Sequence, residues 1–131
     1  MKFIVATSLI LTAGPAVAQS AVTDHAVTGP ANKEIRAGWF GSSLNADCTG
    51  RAVPEARITE RAQNGIVKLR QGKVRTNSAA KCPNAELPAI LVFYQSKEGY
   101  RGTDTFTLEV KGVSGNPSLH KFNVSVEGMV Q

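Results

Sequence analysis

The chain has 131 residues, with 15 Lys and Arg against 10 Asp and Glu, a formal net charge of +5 and 42% hydrophobic residues. That length accommodates one domain with one core and excludes a multidomain enzyme. With two cysteines, Cys48 and Cys82, and two histidines, His25 and His120, the composition also lacks a Cys/His metal-ligand pattern.

The first residues, MKFIVATSLILTAGPAVAQ, carry the three parts of a secretory signal. Lys2 gives the positive start, Phe3 to Ala13 the apolar run, and Ala16-Val17-Ala18 the small-x-small cleavage site after Gly14-Pro15. The run is shorter than a bilayer-spanning helix requires, so residues 1–18 are expected to be a cleaved signal and the protein to be periplasmic or secreted. Residues 19–33 are small and polar and read as a flexible leader with a short edge strand at Val22 to Val27. Residues 34–131 are expected to form the domain. In an oxidising compartment Cys48 and Cys82 are expected to pair. Closing roughly 34 residues into a loop stabilises the fold by about 3.8 kcal/mol in a chain-entropy treatment.

From residue 34 onward the apolar residues recur with a period of two, and Gly and Pro separate strand-length segments. Glu34 to Phe40 is the first predicted strand, leading into Trp39-Phe40. Trp39 reads as a core anchor beside the disulfide; exposed, it would mark a contact with a protein or a sugar. Glu55 to Thr59 is the second. Ile66 to Arg70 and Lys73 to Thr76 flank Gln71-Gly72 and read as a hairpin. Ala89 to Gln95 is apolar at every position but the last, as a central strand is. Asp104 to Lys111 and Leu119 to Glu127 alternate strictly and should pair antiparallel. About seven strands at this spacing predict an all-β sandwich, with a small open β-barrel as the alternative.

Gly99, Tyr100, Gly102, Asp104 and Phe106, within FYQSKEGYRGTDTFTLEVKG, resemble the last hairpin of small exported bacterial immunoglobulin-like or cadherin-like domains. The resemblance implies a Greek-key, immunoglobulin-like sandwich. The residues themselves fit such a turn. Gly99 and Gly102 suit conformations closed to other residues, Tyr100 a ring on the core edge with its hydroxyl bonded, and Asp104 the acceptance of backbone N–H bonds.

No catalytic constellation is legible. His25 falls in the leader and His120 is in phase with Phe122, a structural position rather than that of a base placed by an acid. No carboxylate pair, phosphate-cradling loop or calcium set is present, and no cofactor or metal is expected. Asn123-Val124-Ser125 reads as an ordinary strand face. The distinctive feature is charge: Arg57, Arg61, Lys68, Arg70, Lys73, Arg75 and Lys81 stand against Glu60 alone. A hairpin turning at Gln71-Gly72 would place Lys68, Arg70, Lys73 and Arg75 on one face, opposed across strands, where like charges destabilise. The expectation is therefore a non-catalytic exported binding module. Its basic hairpin would contact an anionic glycan, a lipid headgroup or an acidic protein, against the simpler reading of a solubilising edge. Nucleic acid is not expected, because no aromatics are interleaved with these cations. The alternative is a small secreted enzyme inhibitor acting through the Cys82-held loop 77–88.

Overall fold

The computed structural model describes residues 21–76, 82–112 and 115–127, together with isolated positions 3, 5, 9, 10 and 14. Its regular structure is seven strands: β1 (Val22–Pro30), β2 (Ile35–Gly41), β3 (Glu55–Glu60), β4 (Gly65–Thr76), β5 (Ala85–Ser96), β6 (Gly102–Lys111) and β7 (Pro117–Glu127). They form two sheets, β1-β7-β6-β3 and β2-β5-β4, whose apolar faces meet as a sandwich. Among the described residues no helix is long and apolar enough to cross a membrane.

Alternation explains the pairing. In β6, Phe106, Leu108 and Val110 are buried, and in β7, Phe122, Val124 and Val126 are buried. The register sets Phe106 opposite Phe122 and Leu108 opposite His120, so a slip of one residue would turn both apolar rows to water. β5 is the middle strand of its sheet and buries residues of both parities, Leu87 and Ala89 towards one end and Val92 and Tyr94 towards the other.

Two segments depart from the sequence reading. The expected leader is a nine-residue strand, since β1 runs parallel to β7 from Val22–Leu119 to Pro30–Glu127. The edge strand expected at Val22 to Val27 extends to Pro30, and its parallel partner at the far end of the chain is what the sequence does not announce. The expected hairpin is absent: Gln71-Gly72 lies inside β4, which pairs without interruption with β5, Gly65 opposite Ser96 through to Thr76 opposite Ala85. The glycine serves packing instead. A Cβ at position 72 would come 2.7 Å from Leu91 Cδ1, so the missing side chain is what lets Leu91 lie across it.

The core is organised by a row of rings. Register puts His25, Phe122 and Phe106 side by side on adjacent strands. Phe106 and Phe122 stack at 4.7 Å, and His25 stacks on Phe122 at 4.7 Å. Tyr94 and Phe40 reach this row from the other sheet. Cys48 and Cys82 are bonded, which ties the β2–β3 connection to the segment before β5. There Val74, Leu87 and Ala89 form a second, smaller core with Leu44 and Leu91 packed against it.

The β5–β6 turn follows the motif. Gly99 and Gly102 have φ of +76° and +134°, Tyr100 donates its hydroxyl to the Thr103 carbonyl, and Phe106 is fully buried. Asp104, only 4% exposed, accepts from its neighbour Thr105 N and from two amides of the β3–β4 connection, Gln63 N at 3.1 Å and Asn64 N at 3.0 Å. It also accepts the buried Tyr94 hydroxyl at 2.8 Å. Burial, and then the bond to Asp104, push the Tyr94 hydroxyl far above its ordinary value.

Candidate binding face

The four cations expected on one face are divided by the continuity of β4. Without a turn at Gln71-Gly72 the pleat keeps its phase, so Lys68 and Arg70 project on one side while Lys73 and Arg75 project on the other. All four are exposed, but they make no single patch. Arg75 lies 3.5 Å from Glu86, its cross-strand neighbour.

Arg36 and Trp39 take the place of the second pair. Directly opposed residues share a face, and the register sets Arg36, Phe93 and Lys68 in one row across β2, β5 and β4. Trp39, Leu91 and Arg70 form the next row. Arg36 and Trp39 are three apart in sequence and would face opposite ways in a regular strand. The irregularity between Arg36 and Gly38 inserts one residue and resets the phase. Trp39 is 42% exposed, which corrects its reading as a core anchor. Its ring leans along the strand, since a Cβ on Gly41 would meet Trp39 Cζ3 at 2.8 Å. Gly41 and Gly72 thus let Trp39 and Leu91 lie low on the sheet.

Electrostatically the face holds one neutralised and two open cations. Arg70 is held by Glu34 through two hydrogen bonds, 2.7 and 3.1 Å, and its guanidinium carbon sits 4.9 Å from the Phe93 ring centre. Arg36 and Lys68 form no ion pair among the described residues. They flank Phe93 on either side, roughly 10 Å apart at the backbone given strand spacings near 4.8 Å. Sequence reasoning missed Arg36 because it sits on a different strand from the basic segment. The signal that could have found it was the Arg-x-x-Trp spacing, legible only once the bulge is known.

Two other expectations concern sites elsewhere. In the loop 77–88, residues 77–81 lie outside the described residues, and residues 85–88 belong to β5 rather than to a loop. His25 and His120 are not independent, because His25 Nε2 and His120 Nδ1 are 2.8 Å apart. His120 Nε2 meets Ser118 Oγ at 2.9 Å, and that hydroxyl donates to the Val110 carbonyl. The chain is satisfied when His120 is neutral, carrying its proton at Nε2 and accepting from His25 Nε2–H at Nδ1. Burial, and then the neighbouring His25, lower the His120 value. Among the described residues no group of three or more His, Cys, Asp or Glu is placed to hold a metal ion.

Comparison with known proteins returns no matching family model, no matching curated protein and no matching solved structure.

Proposed function

We propose that this protein is an exported, non-catalytic binding module that holds an acidic glycan on the outer face of β2-β5-β4. The observation that carries the reading is the pair of open cations, Arg36 and Lys68, on either side of Phe93, with the exposed Trp39 ring in the next row. A low-lying aromatic offers a surface for the apolar face of a sugar ring, and flanking cations meet its carboxylates or sulfates. The flat sheet suits a polymer better than a small ligand, which calls for a concave pocket.

Three features support the rest of the proposal. The disulfide is compatible with an extracytoplasmic protein, and the N-terminal sequence has the pattern of a cleaved signal. The sheet memberships, β2-β5-β4 against β3-β6-β7 with β1 added beside β7, parallel the strand sets of immunoglobulin-like sandwiches. The reading is tested by retention on immobilised polygalacturonate and on its methyl ester. The protein should be retained by the acid form at low salt, released as salt rises, and not retained by the ester. The double variant R36E/K68E should lose retention, and Trp39→Ala should weaken it at constant salt. Equal retention of the double variant, or equal retention on the ester, would refute the assignment.

A further inference from the structure

β4 is an edge strand: among the described strands it pairs only with β5, on one side. Twelve residues long and in uninterrupted register, it presents the longest regular edge of the fold. The other edges are less suitable, as β2 and β3 are irregular and β1 ends at Pro30. Edges of this kind are templates for another strand and are usually blocked. Its cations would suffice as a block, yet the edge is not designed only to repel. Ile66, on β4, is 64% exposed, and Ile58, on β3, is 37% exposed. Both line a groove of about 440 Å³ between the two sheets, shared with Arg61, Ala62 and Val67. Two exposed isoleucines beside an unpaired edge are what a purely protective edge would avoid.

We infer that the β4 edge and this groove receive an extended acidic polypeptide segment, which adds to β2-β5-β4 as a fourth strand. Main-chain hydrogen bonds to the free edge supply affinity, and side chains of alternate residues supply specificity. On the inner side, an apolar residue opposite Val67 would enter the groove against Ile58, and on the outer side the residue opposite Lys68 would be acidic, the alternation of an acidic-apolar repeat. A second copy of this chain is a poor occupant, because pairing two β4 edges brings Lys68, Arg70, Lys73 and Arg75 of each copy together with no acid between them, and the register centred on residue 70 sets Arg70 directly opposite Arg70, where like charges destabilise. β4 itself contains no acidic residue.

This site is separate from the glycan face in its groove and in its use of backbone, and the test exploits both differences. Fluorescence anisotropy would compare four labelled octapeptides: the alternating Glu-Val sequence, its Lys-Val counterpart, and the Glu-Val peptide with alternate amides N-methylated in one phase and in the other. The Glu-Val peptide should bind, the Lys-Val peptide should not, and at least one N-methylated form should bind at least tenfold more weakly. Ile58→Asn and Ile66→Asn, uncharged changes at exposed positions, should each weaken Glu-Val binding by at least tenfold while leaving retention on polygalacturonate unchanged. Binding that survives N-methylation in both phases, or that is indifferent to both isoleucine variants, would show charge attraction alone and overturn the inference. So would absence of Glu-Val binding by a variant-free protein whose thermal unfolding is cooperative.

Discussion

Replacing Asp104 by alanine should be among the most damaging single changes in the domain, although the residue is polar and touches no ligand. Its Oδ1 accepts from Gln63 N and Thr105 N, and its Oδ2 from Asn64 N and the Tyr94 hydroxyl. Asp104→Ala deprives all four donors of their acceptor at once. The Tyr94 ring is 1% exposed, so its hydroxyl has no route to water, and an orphaned buried donor costs about 1–3 kcal/mol. The two amides of the β3–β4 connection add about 0.5–1.5 kcal/mol each, since they regain some solvent. The sum is about 4 kcal/mol, a large part of the stability of a domain this size. In urea, with a slope of about 1.5 kcal/mol/M, the midpoint should fall by about 2.5 M with the slope unchanged. Tyr94→Phe, which leaves the carboxylate its three amides, should cost only about 1 kcal/mol. In the Tyr94→Phe background Asp104→Ala should then cost at least about 1 kcal/mol less than in the parent, because no hydroxyl is left to orphan. A loss below about 1 kcal/mol for Asp104→Ala, or a strictly additive double variant, would show that this carboxylate does not anchor the β3–β4 connection.

Two further outcomes follow from the same structure. Breaking the Cys48–Cys82 bond, by reduction or by Cys48→Ala with Cys82→Ala, should destabilise the domain by about 3.8 kcal/mol and lower Tm by on the order of 15 °C; calorimetry checks this, and the smaller core of Val74, Leu87 and Ala89 should be the first region to lose hydrogen-exchange protection. Acid should loosen the attachment of β1 to β7. The folded value of His120 lies below its ordinary value of 6.5, so the stabilisation is present above pH 6.5 and is lost as pH falls through the folded value. Tm should drop by a few degrees between about pH 7 and pH 5, and His120→Gln, which removes the titrating ring, should flatten that dependence as read by thermal scans across pH.

The conformation of the β5–β6 turn was legible down to single residues because its determinants are local. Positive φ at Gly99 and Gly102 and a ring poised beside its own turn are set within a few residues. The partners of Asp104 were only half legible: backbone amides were expected, but besides its neighbour Thr105 N it binds Gln63 N and Asn64 N, 41 and 40 residues away. The same distinction governs the candidate face. Lys68 and Arg70 were found because they lie in one charged run. Arg36 was missed, and Trp39 was singled out without its place on this face, because what unites them with that run is the register of β2 on β5 and a bulge, which no composition reveals.

Periodicity by itself determined that the chain forms strands, that β6 and β7 pair, and that β5 is buried on both sides. Each of these depends on which side chains are apolar and how they alternate, and that information is carried along the chain. Tertiary structure alone decided that β1 joins β7 in parallel, that Gln71-Gly72 runs straight through a strand, and that the cations of β4 part to opposite faces. A Gln-Gly pair can turn or continue, and the free energy that selects between them lies in the partner: twelve residues of β5 and a leucine that occupies the space above the glycine.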